Sequence, residues 1–440
     1  MAMSEQLPFV TPGPTPETLT IGGDDASVEP VGKEPRGYVA TLGLANVGVL
    51  LALLTPIVVG LAFKFQHISS TPEEATTALG LTLGIGALFG LVVNPIAGRL
   101  SDRTTSRFGR RRPWVVGGML LAFAALVGIG FSPTVWVVVA LWCVVQSGVN
   151  MAFAAMNATV PEQVPVNRRG FVSGLLGLAT SVAILGGISL ANLFTEDWLR
   201  FVVPGGIGLI LVVIFALLLH DKQHPTRPST PFGVKEFLGS FVFDPRKWPD
   251  FGWVWLSKFC IIFGFVGVAS FLPLYLTAQF GLSEQEAITI ILVSNLAGTG
   301  FGMISGVGGG LLSDRIGRRK IFVLAAGVIM AAGLLLLGFA TDTTMVIVAQ
   351  VVISFGGGAF FSVDTALATQ TLPKTDTTAK DLGVLNIANT LPQSLGPILA
   401  TPIIAIGATT AIGGYSLFYC VGAAVTIIGS LLVLKIKGVK

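Results

Sequence analysis

The chain has 440 residues, 52% of them hydrophobic and only 11% charged, with a formal net charge of +4. A soluble domain carries about 25% charged residues, so this chain cannot cover a water-facing surface and most of its exterior must face lipid. Three histidines outside the apolar runs (His67, His220, His224), three cysteines without metal or disulfide spacing (Cys143, Cys260, Cys420) and the lack of a GxxxxGK[ST] segment argue against a membrane enzyme and an ATP-driven pump.

Residues 1–36 are rich in proline, threonine and acids (Glu5, Glu17, Asp24, Asp25, Glu29, Glu34). They read as a disordered tail. They have no basic stretch followed by a short apolar core, so they are not a signal peptide. Apolar runs then recur, each long enough to cross a hydrocarbon core of about 30 Å as a helix. The first six are predicted near 38–63, 75–99, 113–131, 134–158, 169–194 and 199–219. A polar stretch, 220–250, follows. Six more runs are predicted near 251–276, 284–310, 320–340, 343–368, 381–407 and 412–435. The expected fold is an all-α integral membrane protein of twelve transmembrane helices in two pseudo-symmetric six-helix bundles. Its expected parts are a tail (1–36), a first bundle (37–219), a central loop (220–250) and a second bundle (251–440).

Basic residues fix the expected orientation. All but Lys64, Arg200 and Lys258 of the 27 fall in loops or termini that an even number of spans places on one side. That side is expected to be the cytoplasm, with both termini and the central loop on it.

The halves repeat one another. Gly98-Arg99-Leu100-Ser101-Asp102-Arg103 returns as Gly310-Leu311-Leu312-Ser313-Asp314-Arg315, and Gly109-Arg110-Arg111 as Gly317-Arg318-Arg319. Later, Ala152-Phe153 matches Ala359-Phe360, Asn157 matches Asp364 and Gln163 matches Gln370. A duplicated six-helix unit of this kind places a solute site at the interface of its copies, near the bilayer midplane.

Polar residues inside spans are costly and usually face a cavity or a neighbouring helix. On the fourth span, Gln146, Asn150 and Asn157 lie within about 40° of arc at about 100° per residue. On the tenth, Gln350, Ser354 and Asp364 share about 80°, and on the eleventh Asn386, Asn389 and Gln393 follow i, i+3, i+7 spacing. Three such stripes suggest a hydrated cavity, with helix–helix hydrogen bonding the plainer account of any single amide. Asp364 and Lys258 are the two charges placed within spans. The lysine can snorkel to the interface. The shorter Asp364 cannot, and is expected to couple transport to a cation, to hold solute, or to pair with a nearby arginine. Gly298, Gly302, Gly306 and Gly310 on the eighth span, and Gly170 and Gly174 on the fifth, form close-packing faces.

The segment GRLSDRTTSRFGRRRP (98–113) resembles the loop between helices 2 and 3 of the major facilitator superfamily, and GGLLSDRIGRRK (309–320) resembles its counterpart between helices 8 and 9. The resemblance covers nearly everything after residue 37. The longer form DRTTSRFGRRRPW looks most like the sucrose/proton and glycoside–cation symporter branches. The resemblance implies that Asp102, Arg103 and Arg110, with Asp314, Arg315 and Arg318, gate the cytoplasmic side by latching onto a helix N-terminus of the other half. A carboxylate there gains about 0.3–1 kcal/mol exposed and up to ~2 partly buried. Without that role, the arginines are topological anchors, and Asp102 is expected to pair with Arg103, Arg107 or Arg110. The resemblance also implies that helices 5 and 8 meet across the halves.

Two family features are missing. Cys143 stands where many proton-coupled relatives carry an arginine before Gln146-Ser147-Gly148, and the Gly-Pro antiporter signature is absent from GLATSVAILGG (177–187). Both absences weigh against a proton/drug antiporter. The expected function is secondary active transport of a small solute, a sugar or glycoside, in symport with H⁺ or another cation. Efflux of amphipathic compounds and a non-transporting receptor or scaffold are the alternatives. No cofactor, metal or nucleic acid is expected. The partners are solute, cation and lipid, for a monomer in the plasma (inner) membrane.

Overall fold

A computed structural model of the protein describes residues 35–221, 247–371 and 378–437. Residues 1–34 of the expected tail, most of the central loop and Lys374 therefore lie outside the described residues. Twelve helices are long and apolar enough to cross a membrane. They are α1 Tyr38–Ile68, α2 Pro72–Asp102, α3 Arg112–Phe131, α4 Val135–Gln163, α5 Val166–Leu193, α6 Asp197–Leu218, α7 Pro249–Phe280, α8 Glu284–Ile316, α9 Arg319–Gly338, α10 Thr343–Gln370, α11 Thr378–Ala408 and α12 Gly414–Leu432. No strand occurs among the described residues.

Local sequence explains several boundaries. Thr71 Oγ1 accepts the Glu74 N–H at 3.2 Å and starts α2, Ser283 and Glu286 form a capping box at α8, and Asp342 accepts the Met345 N–H at 2.9 Å at α10. Gly281 and Gly317 end α7 and α8 in the left-handed region, at φ 64° and 69°. The ends run past the expected spans where polar residues continue a helix beyond the apolar run. Thus α1 extends through Lys64 and His67, with one π-helical turn at Pro56–Gly60, and α2 runs on to Asp102. His67 therefore belongs to a helix and not to a loop. Within α11, Pro392, Pro397 and Pro402 recur every five residues.

The two halves share one packing scheme. A Cβ on Gly48 or Gly208 would collide across the α1–α6 contact, and one on Gly264 or Gly422 across the equivalent α7–α12 contact. Gly118 and Gly148 bring α3 against α4, as Gly333 and Gly356 bring α9 against α10. These are close small-residue approaches, which substitute for the hydrophobic drive that lipid does not supply. The α8 glycine face corrects an expectation. Gly298, Gly302, Gly306 and Gly310 all look onto α10, at Ser354, Gly358 and Ser362 of the same half, and Cβ atoms on Gly170 and Gly174 of α5 would meet nothing within 4 Å.

Candidate functional site

The halves meet at the end of the bundle opposite the arginine-rich loops. A Cβ on Gly80 or Gly84 of α2 would strike Pro397, Thr401, Ser394 or Ile398 of α11, and Thr76 lies 3.3 Å from the Tyr415 hydroxyl. Gln66 Nε2 donates to Thr277 at 2.7 Å, and Gln285 Nε2 to Asn192 Oδ1 at 2.9 Å, so α5 and α8 do touch, but at their ends.

Five charged residues knit this seam. Glu284 of α8 takes Arg200 Nη1 of α6 at 2.7 Å and also contacts His67 Nε2 of α1, while His67 Nδ1 lies 2.9 Å from Asp197 Oδ2. Facing two carboxylates, both ring nitrogens serve as donors. Lys64 Nζ donates to the Gly130 carbonyl at 3.0 Å and stands 3.8 Å from Asp197. The sequence reading set Lys64 and Arg200 aside as the two cations on the wrong side. Their burial against acids from two helices, Asp197 of α6 and Glu284 of α8, is what it missed. The signal was there in the form of acids (Asp197, Glu284) at the starts of the two helices facing them.

At the basic face the first Ser-Asp-Arg loop is a compact ionic knot. Arg111, only 3% exposed, contacts Asp102 and Ser101 and reaches Glu162 of α4 at 2.6 Å; Arg110 meets the same carboxylate at 2.7 Å. Asp102 thus pairs with Arg111, which the sequence did not single out as its partner. Asp221 Oδ2 accepts the N–H groups of Arg111 and Arg112 at 2.7 and 2.9 Å, an anion seated on the N-terminus of α3. Gly109, at φ 97°, leaves the space that carboxylate fills, since a Cβ there would overlap it. The second copy is thinner. Asp314 pairs with Arg319 at 3.1 Å, and Arg315 and Arg318 are exposed. In the repeat, Thr369 stands where the first half has Glu162. The contacts of Asp102 named here lie within its own half, and the α2–α11 contacts named here, at Gly80 and Gly84, lie toward the far end of α2. Among the described residues, the hydrogen bonds and ion pairs named here that join the two halves lie at the far end.

The polar stripes of the sequence differ in exposure. Asn386 and Gln393 of α11 are exposed and Asn389 is half-buried beside them. Across from them, Asn94 of α2 donates to Asn150 Oδ1 at 3.3 Å, and Asn150 Nδ2 reaches the Gln146 carbonyl at 2.9 Å, so this stripe is partly committed to the α2–α4 contact. Asn157 and Gln350 are half-buried, and Ser354 packs onto Gly298. Asp364 and Lys258 come together. Lys258 Nζ donates to Asp364 Oδ2 at 2.6 Å between α7 and α10, with side-chain exposures of 9% and 4%. The lysine does not snorkel, and the aspartate's cation is a lysine rather than an arginine.

A family model, Major Facilitator Superfamily, matches residues 39–311 and 303–439. The chain is 26% identical to a cis,cis-muconate transport protein of Acinetobacter baylyi, over 89% of this chain and 94% of that one. It is 23% identical to a PmrA multidrug efflux pump homolog of Lactococcus lactis, over 87% and 92%. Among solved structures, the nucleoside transporter NupG superposes with a TM-score of 0.72 at 11% identity, covering 91% of this chain and 99% of that one. A D-xylose–proton symporter does so at 0.68 and 17%, covering 91% and 97%. Such identities speak to the fold alone. Twelve apolar helices, duplicated halves meeting at a seam, and a family model spanning both identify the chain as a member of the major facilitator superfamily, an integral membrane transporter and not an enzyme.

Proposed function

We propose that the protein is a proton-driven symporter of a small polar solute, monomeric, in the plasma membrane, with its basic face and both termini in the cytoplasm. The conformation is then inward-open. The Lys64–His67–Asp197–Arg200–Glu284 seam closes the outside, and the Asp102–Arg111–Glu162 knot stands ready on the inside. One observation carries the coupling: a lysine–aspartate pair buried in the membrane-spanning part of the second half. Moving charge into low dielectric is costly, and a pair so placed persists in proteins where its protonation is used. Asp364 takes a proton from outside, the cavity turns over, and the proton leaves with the solute.

The amides of Asn386, Asn389 and Gln393, with Asn150, Gln146, Asn157 and Gln350, supply donors and acceptors for hydroxyl groups. This supports a sugar or glycoside as the solute class, and the likeness of the fold to a D-xylose–proton symporter is in keeping with it. The test is transport by Asp364→Asn in proteoliposomes. Uphill accumulation under an inward proton gradient is expected to be abolished while solute exchange persists. Loss of both assigns Asp364 to solute binding instead, and unchanged accumulation refutes the coupling role.

A further inference from the structure

The coupling pair also constrains what the solute must be, and this inference rests on the assignment of Asp364 as the proton site. An ammonium buried in apolar surroundings needs an anion beside it. Lys258 is 8% exposed, and the buried side chains that pack in its part of the bundle are apolar, among them Phe251, Val254, Ile262, Phe360 and Val363. Its anion is Asp364, and that carboxylate becomes neutral when it accepts the driving proton. Among the described side chains, the groups around the pair offer no replacement. Asp250, two turns nearer the basic face on α7, takes the Lys437 N–H at 2.9 Å. From α9 comes Arg319, a second cation, held by the Ala366 carbonyl and by the exposed Asp314. The facing part of α11 brings Val384 and Leu385, which are neutral.

We infer that the solute itself carries the missing anion: a carboxylate, or an equivalent monoanion, on a polar compound such as a sugar acid, which pairs with Lys258 when Asp364 is protonated. Proton and solute then favour each other's binding, because each removes the charge imbalance the other creates. They cross as a neutral sum, one proton with one negative charge. A neutral sugar would leave the lysine without a partner in the loaded state. A route to the pair exists. Phe265 and Phe361 meet edge-on, 6.3 Å between ring centroids, about one to two turns nearer the far face on the same sides of α7 and α10 as the pair. Phe361 is 47% exposed, and on its helix a Cβ on Gly357 would meet nothing within 4 Å, so the aromatic step has free space on one side. Movement of the two rings admits a carboxylate to Lys258.

The experiment uses the full-length protein in liposomes with a trapped pH dye, an imposed inward proton gradient and the voltage clamped by potassium and valinomycin. Probes are matched pairs differing only in charge: glucuronate against glucose, galacturonate against galactose. The acids are expected to accumulate, the neutral sugars not, with one proton entering per acid and no dependence on voltage. Lys258→Gln is expected to cut acid uptake by about tenfold or more, mainly through KM, and Lys258→Arg to retain it. Because the wild-type comparison needs no variant, poor folding of Lys258→Gln does not shelter the idea. Proton-coupled uptake of the neutral sugars without the acids overturns the anion inference and leaves the symport reading standing. Acid uptake that needs Lys258 but moves no proton does the reverse. Acid uptake undiminished in a folded Lys258→Gln, or transport of none of the acids, overturns the inference.

Discussion

Glu284→Gln is the sharpest probe of the outer seam. Glu284 is the acid from the second half that holds both Arg200 and His67, so the substitution weakens two contacts between the halves at once. The neutral amide still accepts from Arg200, which itself keeps Asp197 at 3.8 Å and the Phe194 carbonyl at 3.0 Å, so no buried charge is orphaned. A charge-assisted hydrogen bond contributes about 1.5–3 kcal/mol and its neutral counterpart about half. His67 is 45% exposed and Glu284 26%, which lowers the histidine share towards the value of about 0.2–1 kcal/mol for exposed pairs. The sum is a loss of about 2 kcal/mol of closure, a shift of about 30-fold in the inward-open to outward-open ratio. The readout is a cysteine at Ser394, buried at 0% under α2, in a background with Cys143, Cys260 and Cys420 replaced. Labelling by an impermeant maleimide from outside is expected to quicken by about that factor. Unchanged labelling in Glu284→Gln would mean that the glycine contacts of α2 with α11 hold the seam and the charges do not.

Gly84→Leu places its side chain against Ile398 and the Ser394 carbonyl, so outward closure is expected to fail and the same Ser394 cysteine to label rapidly without any change of charge. Asp102→Asn strips the ionic partner from Arg111 while Glu162 remains; the protein is expected to fold, as monitored by size-exclusion, but to turn over more slowly with more inward-open molecules, and full turnover would reduce the loop to an anchor. A cysteine at Ser106, in the loop after α2, is expected to react with an impermeant reagent only from the cytoplasmic side, and labelling in intact cells would invert the orientation.

The helices were legible because lipid demands long apolar runs, and the duplication because two loops kept the same words. Partners were less legible. Glycines four apart announce that a backbone comes close but not whose, and the α8 face turned out to serve α10. Arg111 looked like one anchor among six, yet its burial depends on Glu162, 51 residues away. The five seam charges come from the ends of α1, α6 and α8, where each reads as an ordinary cap or loop residue until the ends converge. Lys258 could be placed in a span but not paired with Asp364, since helical register fixes a side chain's direction within its own helix and says nothing of the neighbour's rotation.

The prolines of α11 add a dependence on water. Each removes the backbone donor for the carbonyl four residues earlier, at Ala388, Gln393 and Ile398, so this helix carries three acceptors without their helical partners. Hydrocarbon cannot satisfy them; Gln393 is exposed, whereas Ala388 is buried and Ile398 lies under Gly84 in the α2–α11 contact. A solute bearing its own donors can stand in for water at the Gln393 carbonyl, so the backbone of α11, and not its side chains alone, offers a hydrogen-bond acceptor that the prolines leave free.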